Sequence, residues 1–300
     1  MKYSVVIPTK NPGLPFVDVL EAVRSQQVDG DLEIVVVDSG SKDGTRERAE
    51  HYGAVYWEIP PQNFNHGRTR NLGIQVATGE LVALLTQDAE PRDPTWLATL
   101  GQALRDVRVA GAYGRVVPRP DATPLVERTV KADLVYSEEP LLKTIDDPGG
   151  WERIDPFQRR VHGHFNNVAS CVRRSVAERI PFPALDFGED LAWGVQVMKE
   201  GYALIYEPRA VVVHSHRSSL LKDFLRYRAD AELMRRLFGL RNRTGPIDAA
   251  RAFSSEVRKD LSWLREHPPS ARIRYGLYSF PLRAAQILGQ CAGSVGRKGW

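Results

Sequence analysis

Cysteine is scarce: the 300 residues hold two, Cys171 and Cys291. Two thiols build neither a disulfide framework nor a thiolate zinc site, and they point to a reducing compartment. Long apolar runs are missing too. No stretch approaches the roughly 20 residues that a membrane-spanning helix needs. Met1 leads straight into strand-like residues, without the charged start and apolar middle of a leader peptide. These absences predict a protein made and kept in the cytoplasm. There is no internal repeat and no low-complexity tract. What remains is ordinary globular material, 42% hydrophobic and 26% charged, enough to build a sizeable core. The length suits one large domain, or one domain with an appendage.

Acidic residues thin out towards the C-terminus. Residues 1–216 hold 24 Lys and Arg against 30 Asp and Glu, a net of −6; residues 217–300 hold 17 against 7, a net of +10, and the two sum to the overall +4. The expected organisation is a domain over 1–216 followed by a basic helical region over 217–300. Such a region offers a surface to something anionic, either lipid headgroups, a lipid-linked phosphate or nucleic acid, or is simply a solvated helical face. A nucleic-acid partner is not expected, because no recognisable motif and no interleaved aromatic platform accompany the charge.

Periodicity supplies the fold class. Tyr3 to Ile7, closed by Pro8, reads as a buried strand. Phe16, Val19, Leu20 and Val23 repeat at helical spacing. Asp31 to Val37 is a second strand, ending in the turn cluster Asp38-Ser39-Gly40-Ser41. A helix follows from Asp43-Gly44-Thr45 to Tyr52, with Asp43 expected at its N-cap, then a strand at Ala54–Trp57 and a helix over Thr69–Ala77. Leu81 to Thr86 is a nearly all-apolar fourth strand. Alternating strands and helices imply βαβ units and a mostly parallel sheet flanked by helices. Residues 118–158, with several prolines and weak periodicity, read as a long excursion carrying a short helix. Structure resumes at Val168–Arg179, with a helix over Leu185–Gly201 and strands at Ala203–Ile205 and Ala210–Val213. From Ser219 onward the pattern is helical, and Leu220, Leu221, Phe224, Leu225, Ala231, Met234 and Phe238 can share a face.

In open α/β sheets ligands bind at the carboxyl ends of strands, so residues just beyond each apolar run are the candidates. They are Pro8 and Thr9, then Asp38, then Gln87-Asp88-Ala89-Glu90, then His214-Ser215-His216. Asp88 and Glu90 are two apart, so an extended backbone projects both the same way. Two carboxylates on one side suit Mg²⁺ or Mn²⁺, which take one or two carboxylates and fill the rest with water and phosphate oxygens.

In this order the motifs resemble the family 2 glycosyltransferases and their GT-A fold, over about residues 1–240. Val5-Val6-Ile7-Pro8-Thr9 is similar to the family's first strand, and Ile34 to Thr45 to its strand-turn motif, in which Ser39 stands where a second aspartate is usual. The resemblance implies Asp38 as partner of the nucleotide base. It matches Arg70-Asn71-Leu72-Gly73 to a block whose arginine, here Arg70, faces base or diphosphate. Thr86-Gln87-Asp88-Ala89-Glu90 takes the place of the DxD motif, with Glu last, so the metal contact would fall chiefly on Asp88. Glu189-Asp190 is similar to the family's acidic pair, which implies Asp190 as the base that deprotonates an acceptor hydroxyl. His214 matches a metal-ligating histidine, with His216 as the alternative.

Asn63-Phe64-Asn65-His66-Gly67, Thr86-Gln87-Asp88-Ala89, Val172 to Ser175 and His214-Ser215-His216 look most like bacterial rhamnosyltransferases. That implies a dTDP-L-rhamnose donor, a role for His66 in holding it, and a glycan or polyprenyl-linked acceptor in cell-surface polysaccharide synthesis. Asn167 is expected at a donor phosphate or satisfying backbone groups. A UDP- or GDP-sugar donor, or a non-catalytic nucleotide- or sugar-binding module, are the alternatives. Contact with the inner face of the membrane is expected through the basic C-terminal region. Trp193 and Cys171 read as core.

Overall fold

The computed structural model describes residues 2–132, 137–216, 218–243 and 245–295. They form two compact units: residues 1–117, 135–154 and 161–214, and residues 118–134, 155–160 and 215–300.

The first unit is built on one nine-stranded sheet. Its early strands are β1 (Lys2–Thr9), β2 (Asp31–Asp38), β3 (Val55–Glu58) and β4 (Leu81–Leu85), connected by helices α1 (Phe16–Arg24), α2 (Thr45–His51) and α3 (His66–Val76). These four strands run parallel, in the order β3-β2-β1-β4. β4 is apolar throughout, and β1 and β2 carry apolar runs, as suits strands covered on both faces; Val5, Val6, Ile7, Val35, Val36 and all five residues of β4 are essentially without exposure. The later strands are β5 (Glu90–Pro91), β6 (Val109–Val117), β7 (Leu141–Lys143), β8 (Ala169–Arg173) and β9 (Ala203–Val213). Beyond β4 the sheet is mixed. β8 is antiparallel to both β4 and β6, β6 is parallel to β9, and β5 and β7 pair antiparallel with β9. The GT-A class expected from the sequence therefore stands, with its parallel part confined to the first four strands and to β6 with β9. α4 (Trp96–Ala103), α7 (Arg174–Arg179) and α8 (Glu189–Lys199) are further helices of this unit.

Directions follow from these pairings. The C-terminal ends of β2, β1, β4 and β9 and the N-terminal end of β8 all lie along one edge of the sheet.

Several boundaries differ from the expectation. β9 is one strand, not two, and carries a register shift opposite Gly114/Arg115. α8 starts at Glu189 because Gly188 adopts the left-handed conformation (φ 73°), which glycine enters without a Cβ penalty. Asp43 is not the N-cap of α2. That position is Gly44, and the Asp43 carboxylate instead accepts from the Gly13 amide at 2.7 Å and from the Thr45 hydroxyl. Residues 118–158 hold more than a short helix: α5 (Pro124–Lys131), β7, a 3₁₀ turn at Pro148–Arg153 and the start of α6 (Pro156–Gly163). Trp193 and Cys171 are core, as expected. Trp193 stacks on Phe182 and donates its indole N–H to the Ile180 carbonyl at 2.8 Å, and burial pushes the Cys171 thiol up to about 12.

The second unit is helical: α5, α9 (Leu220–Phe238), α10 (Pro246–Trp263) and α11 (Pro269–Ser294), with a 3₁₀ turn at Leu264–Glu266. Leu125, Leu264 and Leu282 form its small core. Asp260, fully buried, accepts from Arg128 (2.6 Å), Ser279 (2.5 Å) and Arg283 (two bonds at 2.7 Å). The α9 residues expected on a single face are divided: Ala231, Met234 and Phe238 are buried while Leu221 and Leu225 face solvent.

Candidate functional site

Asp38 ends β2 and is fully buried. Its carboxylate accepts from the Thr9 hydroxyl at 2.7 Å, the Ser41 amide at 2.7 Å and the Ser41 hydroxyl at 2.6 Å. Burial raises its pKa, but these bonds and one from Tyr56 outweigh that and leave it below the ordinary aspartate value. Asp38 is thus an ionised acceptor held rigid at the end of the strand. Lys10, just past Pro8 and Thr9, joins this turn to the next strand. Its ammonium donates to the Ser39 and Gly40 carbonyls at 2.6 and 2.9 Å. Its amide donates to Gln87 at 2.7 Å, and the Gln87 amide returns a bond to the Lys10 carbonyl at 3.3 Å. Sequence reading missed Lys10, although its position directly after a strand end would have flagged it.

Asp88 follows β4, and His214 follows β9. The Asp88 Oδ1 and His214 Nδ1 lie 3.3 Å apart, with His214 buried. Two ligand atoms on adjacent corners of a Mg²⁺ or Mn²⁺ octahedron, each about 2.1 Å from the ion, stand about 3 Å apart. A carboxylate oxygen and an imidazole nitrogen at this spacing fit a divalent cation. Glu90 lies on β5, its backbone paired with Val213. His216 belongs to the second unit, where it is exposed and lines a small recess with Arg119, Thr123, Val126 and Ser215.

The acidic pair opens α8. Glu189 is buried and accepts from Arg70 of α3 at 2.5 Å. Nε of Arg70 is buried without a hydrogen-bond partner among the described residues. Asp190 accepts from the Asn167 amide at 3.2 Å and its own helix's Leu191 amide at 2.8 Å. Burial, and then repulsion from Glu189, push the Asp190 carboxyl up to about 6 against the pull of those amides and Arg70. A carboxyl with that value is a base poised just below neutrality. Asn167 leads into β8, where the Thr86 amide beyond β4 donates to the Val168 carbonyl at 3.1 Å. Asp88 and Asp190 are thereby set beside the ends of neighbouring strands. The Asn167 side chain accepts from Ser170 at 2.9 Å, while its Nδ2 is buried without a partner among the described residues.

His66 is the first residue of α3, its ring edge-to-face with Phe64 at 4.9 Å. Desolvation of the ring, and then the Arg70 guanidinium, lower its pKa, while Glu189 opposes them. α3 is also clasped to the segment ahead of α8. The Asn71 side chain exchanges two bonds with the Phe182 backbone, at 2.8 and 2.9 Å, and Asn65 donates to the Leu185 carbonyl at 2.9 Å. These asparagines were missed as positioning groups because their partners lie more than a hundred residues away.

With this geometry in hand, the model of the glycosyl transferase family 2 matches residues 4–179, more than half of the chain. The chain is a family 2 glycosyltransferase. Among relatives of this glycosyltransferase, the O-antigen chain rhamnosyltransferase RfbN of Salmonella typhimurium is 32% identical over 231 residues, 76% of this chain and 70% of that protein. The O-antigen chain rhamnosyltransferase WbaN of Salmonella anatum is 29% identical over 228 residues, 75% and 70% of the two chains. Among solved structures, the mannosyltransferase PcManGT of Pyrobaculum calidifontis, in complex with GDP-Man and Mn²⁺, superposes with a TM-score of 0.59 at 18% identity, covering 97% of this chain and 86% of that one. TarS of S. aureus, residues 1–349 with UDP, gives 0.58 at 14% identity, covering 95% and 90%. At these identities the structures bear on the fold alone.

Proposed function

We propose that this glycosyltransferase is inverting and metal-dependent, and that it moves L-rhamnose from dTDP-L-rhamnose to a glycan or polyprenyl-linked acceptor in cell-surface polysaccharide synthesis, working at the inner face of the membrane. The observation that carries this reading is one sheet edge bearing an ionised acceptor at Asp38, a cation-compatible pair at Asp88 and His214, and a carboxyl of raised pKa at Asp190. A non-catalytic nucleotide-binding module has no use for the last of these. The two rhamnosyltransferase relatives support the choice of sugar.

Each residue then has a task. Asp38 serves the thymine base by fixing the Thr9 and Ser41 turn that receives it, while Pro8 and Thr9 close the base site and Lys10 braces the turn beneath it. Arg70 and His66, on α3, face the donor, with Glu189 holding the guanidinium in place. Gln87 keeps the strand ends together, and Nδ2 of Asn167 donates to a donor phosphate. Asp88 and His214, with Glu90 on the adjoining β5, would hold Mg²⁺ or Mn²⁺. When bound, that ion supplies positive charge against the developing negative charge of the departing diphosphate. Asp190 takes the proton of the acceptor hydroxyl as its oxygen bonds to the anomeric carbon and the bond to the diphosphate oxygen breaks. Attack comes from the side opposite the leaving group, so the anomeric configuration inverts.

A donor screen tests this directly. Nucleoside diphosphate release is followed with dTDP-rhamnose, UDP-sugars and GDP-sugars side by side, with and without EDTA. Preference for a UDP- or GDP-sugar would refute the rhamnose assignment, and full turnover in EDTA would refute the metal dependence.

A further inference from the structure

The basic C-terminal region contains an apolar surface that the core does not use, and it lies on α11. Ile273, Leu277, Phe280, Leu288 and Val295 expose between 47% and 80% of their surfaces. From Ile273 they fall at intervals of 4, 7, 15 and 22 residues, so they make one stripe along the helix and just past its end. The opposite face of α11 is fully engaged. A Cβ at Gly289 would stand 2.4 Å from the Phe224 carbonyl oxygen, and one at Gly293 would stand 2.2 Å from that of Arg228, so α9 packs directly against the α11 backbone. Ser279 and Arg283, on the same inner face, are bound to Asp260. These contacts fix the rotation of the helix and turn the stripe outward.

The charge around the stripe says what covers it. α11 contains neither Asp nor Glu over its 26 residues, while Arg272 and Arg274 are exposed beside the first turns of the stripe. The aromatic residues Tyr278 and Phe280 are exposed in the same stretch. No helix among the described residues is long and apolar enough to cross a membrane. Apolar side chains flanked by arginines and aromatics, on a helix free of acids, match an anionic bilayer surface in which the helix lies parallel to the plane. We infer that α11 docks this glycosyltransferase on anionic phospholipid through the Ile273–Leu288 stripe. The inference rests on the proposed membrane-face reaction and names the surface that meets the membrane. A lipid-linked acceptor would then reach the enzyme along a plane, not from bulk solution.

The test is co-sedimentation with vesicles of phosphatidylcholine alone and with 30% phosphatidylglycerol. Wild type is expected to bind the anionic vesicles at least tenfold more tightly. Leu277→Glu with Leu288→Glu, and separately Arg274→Glu, should each weaken that binding at least tenfold while leaving the melting temperature and dTDP binding by calorimetry unchanged. Wild type that ignores anionic vesicles, or a double variant that binds them as wild type does, overturns the inference. So does a wild-type dimer that the double substitution converts to monomer, because a second copy would then be the occupant. Loss of dTDP binding in wild type would instead refute the donor reading and leave the vesicle result standing.

Discussion

Replacing Asp190 with Asn tests the proposed chemistry most sharply. The substitution keeps the shape of the side chain and removes its ability to take a proton. A positioned general base contributes about 10² to 10⁴ in rate, so kcat should fall by that factor while dTDP affinity stays within about twofold. The raised pKa adds a second signature. With Asp190 titrating at about 6, kcat/KM of the wild type should rise about tenfold per pH unit below 6 and level off above it; the variant should lose that limb. Stability should move the other way. An aspartate at 3.9 when unfolded and about 6 when folded is penalised in its charged form by roughly 3 kcal/mol. The penalty is absent below pH 4, grows as pH climbs towards 6 and is complete above it. Asn escapes it but matches the Asn167 and Leu191 amides less well, which costs about 1–2 kcal/mol. The variant should therefore gain about 1–2 kcal/mol over wild type at pH 8, and be about 1–2 kcal/mol the less stable of the two at pH 4. Denaturant titrations at both values measure this, beside initial rates across pH 5 to 9. A variant that keeps a tenth or more of the wild-type kcat, with an unaltered pH limb, would refute Asp190 as base.

Further outcomes are expected elsewhere in the site. Asp88→Ala and His214→Ala should each weaken Mg²⁺- or Mn²⁺-dependent donor binding by at least the roughly 10–100-fold typical of even indirect ligand support, and calorimetry with and without EDTA reads it. Arg70→Ala leaves the buried Glu189 carboxylate without its cation, at a cost of about 3–5 kcal/mol in unfolding free energy; a stability within about 1 kcal/mol of wild type would contradict the buried pair. In Gly67→Ala the new Cβ would sit 2.1 Å from the Pro183 carbonyl oxygen. The backbone must shift, and a loss of about 1–3 kcal/mol in thermal unfolding is expected.

Local pattern carried much of the fold. β4 is an unbroken apolar run, β1 and β2 carry apolar runs at Val5–Ile7 and Ile34–Val37, and all three were readable as buried strands, as was the turn that begins at Asp38. β6 was not, because Gly111 and Gly114 break its pattern. Both glycines answer distant groups: a Cβ at Gly111 would meet the Phe165 ring at 2.9 Å, and one at Gly114 the Ala210 carbonyl oxygen at 2.1 Å. Pro208 and the adjoining register shift made β9 look like two strands. Only a short helix was expected in 118–158, because the elements there are short and depend on distant partners, as when Leu125 packs with Leu264 and Leu282. Candidate site residues were visible one at a time, since strand ends announce themselves. Their partners were not. Arg70 finds Glu189 119 positions away, and Asn71 finds Phe182 111 positions away. Nor could sequence spacing give Asp190 its shifted titration, which arises from burial and from Glu189 alongside it.

The clasp between α3 and the residues ahead of α8 has a bearing on redesign. His66 and Arg70 ride on the same short helix whose asparagines and Gly67 grip residues 182–185, and Asp190 follows five residues on. On the roles proposed above, the donor-facing residues and the base are in this way joined through one clasp. Grafting a foreign 66–76 segment to switch donors would disturb the base as well, so a working chimera must exchange 180–190 together with it.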